Sequence, residues 1–317
     1  MHPGPGNEQV NPATVVVVAA VVGPTASGKS DLGVALALAL GGEVVNADSM
    51  QLYRGMDVGT AKLAVDERRG VPHHLLDVWD VTEAASVADY QQRARAVVDD
   101  LLARRATPVL VGGSGLYVRA VLDHLEFPGT DPEVRARLES ELADVGAPSL
   151  HARLAHVDPE AAAAILPSNG RRIVRALEVV EITGGRFTAT LPEQRDVYRS
   201  VQIGLDVPRD VLDARIDERV LRMWDAGLVD EVRRLEAAGL RDGLTASRAL
   251  GYAQVLRMLD GELDEAAAIA ETQRATRRFA RRQDTWFRRD ARVVWLPYDA
   301  PDLRAQAHQA IAQNSTA

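Results

Sequence analysis

The sequence predicts an α/β protein in which a parallel β-sheet is flanked by helices and carries a helical insert. Three observations support this fold class. An apolar run rich in β-branched residues, Val15 to Val22, is typical of a strand buried on both faces. The glycine-containing segment Gly23–Ser30 joins this run to a helix-forming stretch. From about Asp131 to Tyr198, apolar residues recur at helical spacing and strand patterns are absent.

The segment after the first strand has the pattern G-x-x-x-x-G-K-[ST]. It consists of Gly23, Pro24, Thr25, Ala26, Ser27, Gly28, Lys29 and Ser30. Because a strand precedes it and a helix follows, the pattern predicts a phosphate-binding loop. Backbone N–H groups would bind phosphate oxygens, Lys29 would supply positive charge, and the Ser30 hydroxyl would bind Mg²⁺. We therefore predict a P-loop NTPase-like sheet, and the alternative is a glycine turn that binds no ligand.

A second strand is predicted at 43–47, and Asp48 follows directly. Ligands of open α/β sheets bind at the carboxyl ends of the strands. Asp48 is therefore the best candidate for a reacting carboxylate. The alternative is that Asp48 caps a turn or holds Mg²⁺ through a water molecule.

The remaining core elements follow in order. Ser86 opens a helix that runs to about Arg105, and a third strand at 109–111 ends in glycines followed by Ser114. A P-loop ATPase commonly has an Asp that holds Mg²⁺ at this place, so a dedicated hydrolase is disfavoured. Further strands are predicted at 200–207 and 293–296, with a helix carrying 247–252 between them.

The predicted organisation has four parts. They are a disordered tail at 1–13, an α/β core formed by 14–130 and 199–300, a helical insert at 131–198 that acts as a lid, and a C-terminal tail at 301–317.

The composition narrows the class of protein. With 317 residues, of which 46% are hydrophobic, the chain can form one large or two modest domains with a real core. It contains no Cys, which excludes disulfides and a Cys nucleophile and fits a reducing cytoplasm. The apolar run at 15–22 is too short to cross a bilayer, so we expect a soluble protein without a membrane partner.

A segment near the C-terminus is positively charged, although the chain as a whole carries a negative net charge. The net charge of −8 argues against a nucleic-acid partner unless basic residues are gathered locally. Between Arg274 and Arg292 there are eight Arg, two Asp and three interleaved aromatic residues. Arginines with aromatic residues indicate a surface for phosphates and bases. The alternative is a solvated helix with buried aromatic side chains.

These residues alone support a P-loop enzyme that binds a nucleotide or pyrophosphate, either a small-molecule kinase or a transferase. The chain also resembles a known family, the bacterial tRNA dimethylallyltransferases. The matching segments are Gly23–Ser30, Asn46–Lys62, Pro72–Asp77, Gly112–Tyr117, Arg172–Glu178 and Arg282–Arg288. The resemblance runs in order from about Val15 to Leu296, and the 46–62 segment is more specific than the phosphate loop.

The resemblance implies transfer of a dimethylallyl group from dimethylallyl diphosphate to the exocyclic N6 amine of adenosine-37, 3′ of the tRNA anticodon. Gly23–Ser30 would hold diphosphate rather than ATP, with Mg²⁺ bound through Ser30. The implied catalytic residues are Asp48 as general base, Ser114, Arg135 and Arg219. The implied tRNA contacts are Asp48, Ser49, Met50, Gln51, Arg171, Arg172, Arg175, Arg248, Gly251, Tyr252, Arg281, Arg282, Gln283, Trp286 and Arg288. We expect a cytoplasmic monomer, and the alternative function is a P-loop kinase for a small molecule or nucleotide.

Overall fold

The computed structural model describes residues 16–188 and 193–315. The tail predicted at 1–13 and the first residue of the predicted first strand, Val15, lie outside this range. The described residues form two units. The first ends at Asp123 and resumes at Asp196, and the second is His124–Arg195. Among the described residues, none of the helices has the length and apolar character needed to cross a lipid bilayer.

A six-stranded parallel sheet forms the centre of the first unit. Its strands are β1 (Val18–Val22), β2 (Glu43–Asn46), β3 (His73–His74), β4 (Pro108–Gly112), β5 (Ser200–Asp206) and β6 (Val293–Pro297). Their order is β3-β2-β4-β1-β5-β6, and all neighbours are parallel. All five residues of β1 are buried, since it lies between β4 and β5. The predicted fold class is therefore confirmed, and β3 is a short strand that the sequence did not predict.

The described helices, in chain order, cover the sheet and form the second unit. They are α1 (Lys29–Leu40), α2 (Val87–Ala103), α3 (Gly115–Leu122), α4 (Pro132–Val157), α5 (Pro159–Ala164), α6 (Gly170–Thr183), α7 (Arg209–Asp225), α8 (Leu228–Ala237), α9 (Tyr252–Leu259), α10 (Glu265–Arg288) and α11 (Leu303–Ser315). The helix predicted after Ser86 is confirmed, because the Ser86 side chain accepts a hydrogen bond from the Asp89 amide and caps α2.

The second unit consists of α4, α5 and α6. Its core contains Leu138, Leu154 and Ile173, all without exposed surface. Within α4, Gly146 has a φ of 79°, so the helix is broken there, two residues before Pro148.

Two elements differ from the sequence-based expectation. The segment from 301 is not only a tail, because α11 buries Ala307 and Ile311 against the sheet side of the first unit. These residues and Leu303 are spaced by four, which places them on one helix face. The helix predicted to carry 247–252 begins only at Tyr252, after a 3₁₀ turn at Ala246–Arg248. Gly251 has a φ of 87°, a conformation that a helix cannot contain.

A buried ion network closes the first unit where the chain leaves it and returns. Asp123 has no exposed surface and pairs with Arg119 at 2.5 Å and with Arg292 at 2.6 Å. Arg292 also pairs with Asp196 and, at 2.7 Å, with Asp290. One guanidinium therefore joins the last residue before the insert to the first residue after it.

We expect Arg292→Met to lower the free energy of unfolding by about 3 kcal/mol, because it leaves the buried Asp123 carboxylate with one partner fewer. The neighbouring Arg289 is exposed, and Arg289→Met should change stability by less than about 0.5 kcal/mol. Urea unfolding of both variants measures the difference. Equal stability of the two variants would contradict a structural role of the Arg292 network.

Candidate active site

The loop between β1 and α1 has a backbone suited to binding an anion. Gly23, Ala26 and Gly28 all have positive φ angles, of 126°, 63° and 99°. Gly28 precedes the first residue of α1, and in the described part of the chain no side chain caps this helix. The N–H groups of its first turn are therefore available to a ligand. The geometry is that of the predicted phosphate-binding loop.

The charged form of Lys29 is disfavoured by its surroundings. Its ammonium donates to the Pro24 carbonyl at 2.5 Å. Burial, and then the nearby Arg219 guanidinium, lower the pKa of Lys29 to about 7, while the Asp48 carboxylate opposes this shift. An anion bound in the loop would restore the ordinary pKa. The loop is therefore electrostatically prepared for a negatively charged ligand.

A cavity of about 830 Å³ opens at the carboxyl ends of the central strands. All of its lining residues belong to the first unit. Its polar lining includes Lys29, Ser30, Asp48, Gln51, Lys62, Arg219, Arg222 and Gln283. The structure thus brings the predicted carboxylate, the phosphate loop and Arg219 to one cavity.

Asp48 is held in a turn that Asn46 organises. The Asn46 side chain is buried, accepts from the Asp48 amide at 2.9 Å, and donates to the carbonyls of Asp48 and Leu75, each at 3.0 Å. Oδ1 of Asp48 accepts from the Met50 amide at 2.9 Å. One carboxylate oxygen therefore caps the turn, as the structural alternative predicted, while the residue also lines the cavity.

Ser114 joins the ends of two strands. Its Oγ accepts from the Ser49 amide and donates to the Ser49 hydroxyl, both at 3.2 Å. Ser49 follows β2 and Ser114 follows β4, so the contact ties the Asp48 turn to the glycine segment after β4. Met50 is half-buried and packs against the core of the first unit.

Gln283 supports the loops rather than presenting its side chain at the surface. It lies on α10 with 6% of its surface exposed. Its Oε1 accepts from the Thr25 amide at 2.9 Å, and its Nε2 donates to the Gly113 carbonyl at 2.8 Å. We therefore assign Gln283 to holding the phosphate loop, in place of the predicted tRNA contact. Trp286, one turn later, keeps 37% of its surface exposed, which is enough for stacking.

The residues predicted to contact tRNA at 248–252 differ in their exposure to solvent. Arg248 is exposed, whereas Gly251 is buried. Tyr252 has no exposed surface, and its hydroxyl donates to Glu231 at 2.6 Å. A tRNA contact by the Tyr252 side chain does not fit this burial, so we correct its assignment to an internal one.

Two of the four arginines predicted to be functional in the second unit pair with Glu178. This carboxylate is fully buried and pairs with Arg135, and with Arg175 at 2.8 Å. Arg175 also donates to the carbonyl of Gly129 at 3.0 Å. Arg171 and Arg172 are exposed at the start of α6. The catalytic role of Arg135 and the tRNA contacts of the three α6 arginines stay predictions.

The basic segment of α10 is less cationic than its sequence suggests. Arg277 pairs with Asp217, and Arg288 pairs with Asp206 while stacking on Trp295 at 3.8 Å. With Arg292 in the buried network, three of the eight arginines are neutralised internally. The other five arginines, Arg274, Arg278, Arg281, Arg282 and Arg289, are exposed. Of these, Arg281 lies 3.8 Å from the Asp213 carboxylate, a distance that leaves most of its charge for a partner.

Sequence reasoning missed two charged residues near the cavity. Lys62 has only 3% of its side chain exposed and pairs with Asp57 and Asp77, both at 2.6 Å. Glu231 binds the backbone of a loop more than 170 positions away. Lys62 lies in the distinctive 46–62 segment, which was a usable signal. Glu231 gave no such signal in the sequence, because its partners are backbone groups.

Comparisons with known proteins identify the family of this chain. The sequence model of the family described as IPP transferase matches residues 51–290. A tRNA dimethylallyltransferase of Thermobifida fusca is 71% identical over 303 residues, covering 94% of this chain and 95% of the relative. The solved tRNA isopentenylpyrophosphate transferase of Bacillus halodurans has a TM-score of 0.71 and 42% identity, covering 95% of this chain and 97% of its own. The structure of a eukaryotic dimethylallyltransferase acting on tRNA has a TM-score of 0.78 and 25% identity, and the match covers 92% of this chain and 77% of that protein.

The pKa of Lys29 predicts how anion binding depends on pH. Above about pH 7 the free site loses the Lys29 proton, and a bound diphosphate raises the pKa again, so binding takes up a proton. The affinity for dimethylallyl diphosphate without tRNA should therefore fall about tenfold per pH unit from pH 7 up to the pKa of Lys29 in the complex.

Calorimetric titration between pH 7 and 9 measures this slope. Lys29→Met should bind weakly at every pH, with the slope removed. A wild-type affinity that is constant over this range would show that Lys29 does not take up the proton.

Proposed function

The chain belongs to the IPP transferase family, and from that premise we propose how its residues transfer a prenyl group to tRNA. It is a prenyl-transferring enzyme that moves a dimethylallyl group from dimethylallyl diphosphate to the N6 amine of adenosine-37 and releases diphosphate. The observation that carries the residue assignments is the single cavity that Lys29, Asp48 and Arg219 share. The alternative of a P-loop kinase has no support in the family or in the relatives.

The cationic side of the cavity would stabilise the leaving diphosphate. The C–O bond of an allylic diphosphate breaks towards a carbocation, and negative charge grows on the departing oxygens. Lys29, Arg219 and the free N–H groups at the start of α1 would bind this charge. Burial lowers the pKa of Arg219, yet a guanidinium stays protonated and remains a fixed charge. Preorganised charge of this kind favours the transition state over the ground state.

Asp48 would act on the other reactant. The adenine amine is a poor nucleophile, and a carboxylate that accepts its proton as the new C–N bond forms makes the attack easier. Asp48 lines the cavity at the end of β2, across from the phosphate loop. We assign it the role of general base, with Ser114 fixing the position of its turn through Ser49.

Mg²⁺ fits the oxygen groups of this site. The Ser30 hydroxyl and the Asp48 carboxylate line the same cavity, and Mg²⁺ prefers few protein oxygens together with substrate phosphates. We propose that Ser30 is its protein ligand. When bound, the ion would supply further neutralisation of charge on the diphosphate.

The target base must leave its stack to reach the cavity. We propose that Ser49, Met50 and Gln51 contact the flipped base, because they follow Asp48 and Gln51 lines the cavity. The exposed arginines of α10, together with Arg248 and Trp286, would bind the tRNA backbone and unpaired bases. Contacts by Arg171, Arg172 and Arg175, a lid role of the insert, a monomeric state and a cytoplasmic location are proposals of the same kind.

The test of the assignments is transfer of labelled dimethylallyl diphosphate to unmodified tRNA, with the label located by nuclease digestion. Asp48→Asn should bind both substrates normally but lower kcat by roughly 10²–10⁴-fold, the usual contribution of a general base. Lys29→Ala should instead lose diphosphate binding. Restoration of the Asp48→Asn rate by high Mg²⁺ would overturn the base assignment and favour metal binding by Asp48.

The arrangement of α10 also predicts the salt dependence of tRNA binding. Affinity should fall steeply with salt concentration despite the net charge of −8, because exposed arginines release counterions. Replacing Arg281 and Arg282 by Ser should reduce the slope of log K against log salt by about 1.5. The matched control is Arg277→Gln, since Arg277 pairs with Asp217 and should leave the slope unchanged. Equal slopes for all three proteins would make the basic surface a structural feature.

A further inference from the structure

A buried carboxylate on α8 holds the loop that borders the cavity. Glu231 has 2% of its surface exposed. Its Oε2 accepts from the amides of Asp57 at 3.1 Å and Val58 at 2.8 Å, and its Oε1 accepts from the Gly59 amide at 3.1 Å. Three consecutive backbone N–H groups therefore point at one side chain.

Tyr252 supplies a fourth hydrogen bond and fills the space beneath the loop. Its hydroxyl donates to Oε1 of Glu231 at 2.6 Å. Burial, and then the Glu231 carboxylate, raise the pKa of Tyr252, so that the phenol stays a donor. A Cβ at Gly59 would lie 2.5 Å from the Tyr252 ring, so only glycine allows the loop to approach this closely. With four donors, the carboxylate has its acceptor sites filled.

The loop that Glu231 holds also contacts two residues that line the cavity. The Thr60 carbonyl, next in the chain after the three amides, accepts from Nη2 of Arg219 at 3.1 Å. It also accepts from Nε2 of Gln51 at 3.2 Å. Arg219 and Gln51 both line the cavity. A shift of the loop would move the acceptor that orients both side chains.

We propose that Glu231 is a positioning residue for the transfer reaction, which sets Arg219 and Gln51 through the loop Asp57–Thr60. The proposal rests on the assignment of Arg219 to the diphosphate. The groups that donate hydrogen bonds to Glu231 are backbone amides and a phenol. Replacement of the carboxylate by an amide therefore places a donor against other donors. The loop would then lose the contacts that fix its position.

The first test is Glu231→Gln, measured as the affinity for dimethylallyl diphosphate without tRNA and as KM for tRNA. We expect diphosphate affinity to fall about 10- to 100-fold, the scale of a side chain displaced by about an ångström. In an Arg219→Gln background the same substitution should change diphosphate affinity less than about twofold, because its effect passes through Arg219. Effects that multiply would show that Glu231 acts on diphosphate affinity independently of Arg219, and a role in stability alone would leave the affinity unchanged.

Tyr252→Phe provides a milder version of the same test. It removes one hydrogen bond and keeps the ring, so we expect about a two- to tenfold loss of affinity, again absent in the Arg219→Gln background. This variant decides the question if Glu231→Gln does not fold. The loss of affinity by either variant should coincide with a raised KM for tRNA, through Gln51.

Asp158→Asn is the matched control. Asp158 is a buried carboxylate of the second unit that accepts from the Ala161 and Phe187 amides, at 3.1 and 2.7 Å. Its replacement should lower thermal stability and leave diphosphate affinity unchanged. The proposal would be overturned if the Glu231 and Tyr252 variants bound diphosphate with wild-type affinity. It would also be overturned if their losses of affinity multiplied with the loss caused by Arg219→Gln. Transfer of label by the wild type tests the proposed function separately, so the two failures can be told apart.

Discussion

Buried positive charge is the constraint on which this site depends. Lys29 and Arg219 face one cavity, and burial lowers the pKa of both. Asp48 is the carboxylate that opposes these shifts, and it is also the proposed base. A diphosphate would therefore complete the electrostatics of the site and leave Asp48 free to accept a proton. In the proposed mechanism, these charges would link binding of the prenyl donor to activation of the adenine amine.

Helix α10 has two faces with different surroundings, and we propose that each of them serves one substrate. On the inner face of α10, Gln283 joins the Thr25 amide of the phosphate loop to the Gly113 carbonyl after β4. On the outer face, Arg281 and Arg282 are exposed. Because a helix is stiff, a tRNA bound to the outer face would act on the element that supports the diphosphate loop. If tRNA binds there as proposed, the helix would link tRNA binding to the reaction centre.

Buried carboxylates connect segments that are far apart in the chain. Asp123 and Arg292 join the two chain segments of the first unit, and Glu231 fixes a loop beside the cavity. A buried charge is costly unless every lone pair has a donor, so such groups restrict the backbone to one arrangement. None of the three residues lines the cavity, and the proposed role of Glu231 is to position residues that do.

The local elements were determined by the sequence, because each depends on neighbouring residues. The β-branched run, Gly28 and Gly41 define β1 and α1, Ser86 starts α2, and the position of Asp48 after β2 follows from the strand pattern. The parallel sheet follows in turn, since strands that alternate with helices must return to the same edge. For this reason the phosphate loop and the candidate base could both be predicted.

The tertiary structure decided which side chains face a ligand. Gln283, Tyr252 and Arg288 have the residue types of a tRNA surface, but packing turns the first two inward and Asp206 neutralises the third. Glu231 looks like an ordinary helix residue until the fold brings three backbone amides to it from 172 to 174 positions away. Burial and partners of this kind depend on long-range packing, and no periodicity or motif of a single chain encodes them locally.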